Sequence, residues 1–264
     1  MAPSKPMSLN KVPHIVLSFW VIKILATTLG EIGGDAVSMT FGLGYAASAA
    51  LFIVLFVVAV LVQIRVRRFH PALYWLVILS TTTAGTTLSD FLDRTAHLGY
   101  IGGSALLIAI LLAVLIMWRL ALGKISFAHV VDPKAEAFYW AAILASNTLG
   151  TALGDFTADD AGLGFLGGAA LFTSALALIL AAYLFTKVSR TLLFWLAFVL
   201  TRPFGATVGD ALTKPHNQGG MALGTLPASL ILALSVIGLI VFFNRRSKTN
   251  DIGGSDAPLD SVSI

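Results

Sequence analysis

Four aspartates, Asp35, Asp90, Asp155 and Asp210, stand 55, 65 and 55 residues apart. A glycine lies five positions before each (Gly30, Gly85, Gly150, Gly205), and a small residue immediately before each (Gly34, Ser89, Gly154, Gly209). Polar side chains climb toward the aspartates in steps of four: Thr27-Glu31-Asp35, Thr82-Thr86-Asp90, Asn147-Thr151-Asp155 and Arg202-Ala206-Asp210. Residues four apart share a helix face, so each set forms a ladder. Carboxylates mixed with hydroxyls suit hard cations such as magnesium, calcium or manganese. The chain has no cysteine and only five methionines, which disfavours a soft-metal site. The expected metal ligands are therefore the four aspartates, with Glu31, Thr86 and Thr151 as further cation-binding groups. Arg202 and Lys23 are expected to balance the excess negative charge. The small residues four apart let helix backbones approach closely in lipid.

The elements that must position these groups are apolar. The 264-residue chain is 57% hydrophobic and 11% charged, far from the roughly 25% charged residues of a soluble domain. Apolar stretches about 20 residues long recur, the length that crosses a bilayer core. They predict eight spans near 14–35, 43–65, 71–91, 98–120, 136–156, 162–186, 191–212 and 221–243. Thirteen of the 17 Lys and Arg fall on one side of these spans, which makes that side cytoplasmic and places both termini inside. Arg94 and Lys214 fall in outer connections, and Lys23 and Arg202 fall within spans. The net charge of +4 is not read as a nucleic-acid signal.

The aspartates mark an internal repeat. A tryptophan stands fifteen residues before each (Trp20, Trp75, Trp140, Trp195), and a glycine nine after the first three (Gly44, Gly99, Gly164), displaced by five to Gly224 in the fourth. Asp35 to Asp155 and Asp90 to Asp210 are both 120 residues, so a two-span unit duplicated twice. Two spans per unit give all units one orientation, a parallel arrangement about axes along the membrane normal. The expected class is an all-α membrane protein of eight transmembrane helices from four parallel two-helix repeats. Its parts are an N-terminus 1–13, a first four-span half 14–125, a second half 126–243 and a disordered cytoplasmic tail 244–264. The tryptophans are expected to anchor the inner interface as a belt. Asp93, Asp159 and Asp160 are read as solvated loop charges forming an electrostatic funnel, and His97 and His216 as loop histidines.

The repeated W…TxxG…GD…LG[YF] pattern resembles a family of bacterial inner-membrane proteins described as uncharacterised membrane-anchored proteins, over all eight spans. That resemblance implies a multi-pass protein of the bacterial inner membrane. Glu31-Ile32-Gly33-Gly34-Asp35 is also similar to the E-x-G-D-[KR]-[TS] hallmark of Gdt1-like cation exporters, but has one extra residue and Ala36 at the basic position. That likeness points toward manganese or calcium and transfers no residue. No Walker loop, HExxH or GxSxG occurs, so no enzyme is expected. The expected function is a secondary transporter or exporter of a divalent cation, manganese in particular, with no bound cofactor. The alternatives are a channel-like or scaffold protein whose repeats serve packing, and a transporter of small organic cations. The expected partners are the lipid bilayer and the cation, with no nucleic acid; a homo-oligomer is left open.

Overall fold

The computed structural model describes residues 13, 16–66, 69–123, 125 and 132–253, with side chains to 245 except 191. Among the described residues it is all-helical, with eight long helices: α1 Leu17–Asp35, α2 Tyr45–Arg65, α3 Pro71–Asp90, α4 Gly99–Leu122, α5 Pro133–Asp155, α6 Gly164–Phe185, α7 Arg190–Thr213 and α8 Thr225–Gly253. Pro71 and Pro133 open α3 and α5 at the position where a missing N–H costs nothing. Helix α8 runs on past Arg245 to Gly253. Residues 1–12 and 254–264 lie outside the described residues.

The odd and even helices have different jobs. Helices α1, α3, α5 and α7 pack in a closed ring, each on the next and α7 back on α1. The even helices lie outside it: α2 packs on α3, α4 on α5, α6 on α7, and α8 closes the circle on α1. The ring therefore runs unbroken across the boundary between the two halves. Among the described residues, six helical segments are long and apolar enough to cross a membrane, from α1, α2, α4, α6, α7 and α8. Helices α3 and α5 are as long but carry polar runs (Thr81 to Thr83; Ser146 to Thr148) that the ring buries. The outer helices instead expose Leu, Ile and Val on every side but one, and only 11% of the α4 span is buried. Lipid is the solvent that matches such a surface.

The repeated glycines explain the ring. Gly30 and Gly34 of α1 lie against Thr82 and Thr86 of α3; Gly85 of α3 lies against Asn147 and Thr148 of α5. Gly150 and Gly154 of α5 lie against Arg202 and Ala206 of α7, and Gly205 and Gly209 of α7 against Thr27 and Glu31 of α1. The glycines of each helix thus receive the ladder of the next. Contacts advance in the same direction on both partners, so the four helices are parallel and in register. A Cβ on Gly85 would stand 3.0 Å from the Asn147 carbonyl carbon, closer than packed carbons tolerate.

The first three inner helices end at their aspartates, whereas α7 runs three residues past Asp210 to Thr213. In the first three repeats a π-helical turn follows at once (Ala36–Thr40, Phe91–Thr95, Phe156–Asp160). The chain then reverses through left-handed residues. The repeated Gly44, Gly99, Gly164 and Gly224 all have positive φ, between 64° and 79°, a conformation that glycine adopts without a Cβ penalty.

At the far end of the ring the tryptophans form a collar rather than a lipid-facing belt. Phe19 packs on Trp75 (5.6 Å between ring centroids), Tyr74 on Trp140 (5.7 Å), Tyr139 on Trp195 (6.5 Å) and Phe194 on Trp20 (5.7 Å). Each pair joins one inner helix to the next. The belt expectation is corrected for Trp75 and Trp140, which are buried, while Trp20 and Trp195 are partly exposed; an aromatic residue precedes every repeated tryptophan and supplies a ring partner inside the bundle. The Tyr74 and Tyr139 hydroxyls meet at 3.3 Å within this collar.

Candidate cation site

The ladders face the ring interior, as the packing of the glycines requires. Thr27, Thr82, Thr86, Thr151 and Arg202 are wholly buried, and Glu31, Asp35, Asp90, Asp155 and Asp210 are at most 5% exposed. The first rungs stitch neighbouring helices: Thr27 Oγ1 donates to the Thr201 carbonyl (3.3 Å), Thr82 Oγ1 to the Ala26 carbonyl (3.3 Å), and Asn147 Nδ2 to Thr81 Oγ1 (2.9 Å).

Arg202 departs from that pattern. Its Nη2 donates to Glu31 Oε2 (2.8 Å) of α1, Thr86 Oγ1 (2.6 Å) of α3 and Thr151 Oγ1 (2.5 Å) of α5. These are the second rungs of the other three ladders. The second rung of its own ladder is Ala206, whose short side chain leaves the guanidinium room to cross the ring. Thr86 Oγ1 also donates to Glu31 Oε2 (3.1 Å). Arg202 is therefore brought to the Glu31 carboxylate, and Thr86 and Thr151 face its guanidinium. Lys23 lies apart from the acids. It lies three turns from Asp35, fully buried, with Nζ 3.7 Å over the Phe198 ring.

The aspartates divide into two bridged pairs. Lys214 Nζ lies 2.5 Å from Asp35 Oδ2 and 3.3 Å from Asp210 Oδ1. Arg94 Nε lies 2.9 Å from Asp90 Oδ1, and its Nη2 3.9 Å from Asp155 Oδ2. Each base follows its own aspartate by four residues and reaches the aspartate of the next repeat. Burial by itself would lower the pKa of Lys214, but the Asp210 and Asp35 carboxylates outweigh it and raise the pKa above the ordinary lysine value. Arg94 and Lys214 went unselected in the sequence reading. Their 120-residue separation, the period of the duplicated half, was the signal available.

One pair has a third acid. Single carboxylate oxygens of Glu31, Asp35 and Asp210 lie within 4.8 Å of one another, all buried. Three convergent carboxylates at that spacing fit the reach of a hard divalent cation with oxygen ligands. Asp90 and Asp155 stand outside this cluster, on Arg94. The reading of Asp93 as a solvated charge is corrected: it is 6% exposed, accepts from Ser89 Oγ (3.2 Å) and fills the space left by Gly103 of α4. Asp159 is exposed and accepts from the Tyr100 hydroxyl (2.9 Å), and His216 Nδ1 pairs with the Gly220 carbonyl (2.9 Å). A lateral groove between α2 and α8, floored by Leu29, Gly33 and Leu79, holds no ionisable group.

No curated protein and no solved structure matches the chain. The likeness to the cation exporters finds no support among these comparisons. Four stretches, 18–69, 73–122, 138–189 and 193–249, match the family described as Repeat of Unknown Function (DUF347). They begin 55, 65 and 55 residues apart, the spacing of the four aspartates. With four copies in cyclic register over most of its length, the chain belongs to the DUF347 repeat family.

Proposed function

We propose that this protein is a multi-pass membrane transporter that binds a divalent metal cation at Glu31, Asp35 and Asp210, with manganese the first ion to test. The observation that carries the reading is the convergence of three buried carboxylates within 4.8 Å at one end of a closed helix ring. Ionisable groups at membrane depth are costly and mark ion pathways. The rest of the ring favours a transporter over an open channel. A cation leaving the cluster toward the tryptophan end meets Arg202, then Lys23, then the aromatic collar. The fixed charge of Arg202 and the closed aromatic collar stand on that path as a barrier to a cation, so passage requires the inner helices to rearrange.

In this reading all eight helices span a bacterial inner membrane with both termini in the cytoplasm. Arg65, Arg119, Lys134, Lys187, Arg190 and Arg245 stand at the helix ends away from the aspartates, the asymmetry the positive-inside rule describes. The protein moves its substrate and catalyses no covalent step.

A second reading has its own support. Arg94 and Lys214 already bridge all four aspartates, and a ring so neutralised could serve packing alone, in a scaffold. Thermal unfolding in detergent across manganese, calcium, magnesium and a small organic amine separates the readings. The transporter reading expects a divalent ion to raise the midpoint of the wild type and not of Asp35→Asn or Asp210→Asn. A midpoint indifferent to every ion sinks it.

A further inference from the structure

The two bridged aspartate pairs are related by the 120-residue repeat, yet they differ in three ways. Asp90–Arg94–Asp155 is closed by an arginine, Asp210–Lys214–Asp35 by a lysine. A guanidinium is planar, offers several donors and stacks on rings; an ammonium is a point charge on a flexible stem. Arg94 lies near two tyrosine rings, Tyr45 at 6.0 Å and Tyr100 at 5.7 Å. The position equivalent to Tyr45 beside Lys214 is Phe165, and no ring lies over Lys214 among the described residues.

The backbone differs too. Arg94 rides within the π-helical turn Phe91–Thr95. Lys214 is where α7 stops, extended at φ −65° and ψ 151°, and it leads into the connection that is five residues longer than its counterparts. Finally, the third group differs. Glu31 completes the lysine pair, whereas its equivalent beside the arginine pair is Thr151. The pair closed by the lysine is thus the pair with the extra carboxylate.

We propose that Lys214 is a tethered cation: its ammonium fills the Glu31–Asp35–Asp210 site when no metal is there, and swings out still charged when a divalent ion enters. The other pair, closed by Arg94, has no third carboxylate, so the protein binds one ion per chain and not two. This inference rests on the cation reading of the same carboxylates. The seated ammonium supports it directly, since a cation already makes contacts of 2.5 and 3.3 Å with two of the three acids. Such an arrangement lets the site empty without leaving three buried carboxylates facing one another, a state that like-charge repulsion opposes. It also sets the affinity. A site held by its own tether nine-tenths of the time binds about tenfold more weakly than a free one.

The test is manganese binding by equilibrium dialysis on the full-length protein in detergent. The wild type is expected to bind one ion per chain. Lys214→Gln is expected to bind one ion about tenfold more tightly, and Lys214→Arg more weakly than wild type, because an arginine fork holds both carboxylates. Lys214→Met repeats the measurement should the glutamine variant fail to fold. Lys214→Gln or Lys214→Met binding no more tightly than wild type overturns the tether, and so does a stoichiometry of two. Asp210→Asn separates this failure from a deeper one. If wild type and Asp210→Asn bind manganese equally, or neither wild type nor the Lys214 variants bind at all, the site reading itself is wrong and the tether falls with it.

Discussion

Arg202 and Glu31 form a buried ion pair of 2.8 Å between the last and first inner helices. It closes the ring where the fourth repeat meets the first. The same Nη2 touches the equivalent rung on α3 and α5, so one side chain ties all four inner helices at a single level. Removing one partner of such a pair leaves an uncompensated charge in a medium that cannot solvate it. Arg202→Met is expected to cost about 3–5 kcal/mol of stability. Arg202→Met with Glu31→Gln is expected to cost less than Arg202→Met alone, because the stranded carboxylate is gone. Chemical unfolding in detergent reads both, and an equal loss in the two chains would refute the pair's role.

The glycines make a sharper steric prediction. Gly85→Ala drives a methyl group to 3.0 Å from the α5 backbone, and overpacking of this kind costs about 1–3 kcal/mol. Gly33→Ala and Gly238→Ala meet nothing within 4 Å, and are expected to leave stability unchanged or slightly raised, as alanine is the better helix former. Thermal midpoints of the three variants check the order; a tolerant Gly85 would mean that the inner helices do not touch as described.

The repeat and the acid-bearing faces were legible before any coordinates, because equal offsets reveal equivalent residues. Equivalence does not say which neighbour each copy meets. The cyclic rule, in which the glycines of one helix receive the ladder of the next, appears only once Gly205 is seen against Thr27. Arg94 and Lys214 escaped for a related reason: a basic residue one turn beyond an aspartate reads as an ordinary loop charge until the next repeat's aspartate is placed beside it. Lys23 was assigned to the acids on charge alone, and its place over the Phe198 ring of another helix appears only in the structure. Asp93 was misjudged because its burial depends on the missing side chain of Gly103 on another helix. The tryptophan spacing was read correctly as one depth and wrongly as one environment, since lipid and a bundle interior are equally apolar.

The collar makes its own prediction. Trp140 is 2% exposed, so a variant keeping Trp140 and replacing Trp20, Trp75, Trp118 and Trp195 with phenylalanine should resist quenching by brominated lipid. Strong quenching would restore the interfacial belt.

Membrane topology is open to a clean test because the chain has no cysteine. Single cysteines at Phe41, Ala96, Ala161 and Asn217, all exposed beyond the aspartates, are expected to react with an impermeant maleimide from the outside of intact cells. Cysteines at His70 and Lys187, exposed at the opposite helix ends, are expected to react only after the cells are opened. Labelling of the four outer positions from different sides would break the parallel order of the repeats in the membrane.

The central claim is that Glu31, Asp35 and Asp210 carry a divalent cation across the membrane. Its most direct measurement is manganese flux into proteoliposomes containing wild type, Asp35→Asn, Asp210→Asn and, as a control for surface charge, Asp159→Asn. The account predicts flux in wild type and Asp159→Asn and its loss in the other two. Flux surviving unchanged in Asp210→Asn, or none in a correctly folded wild type with any divalent ion, would contradict it.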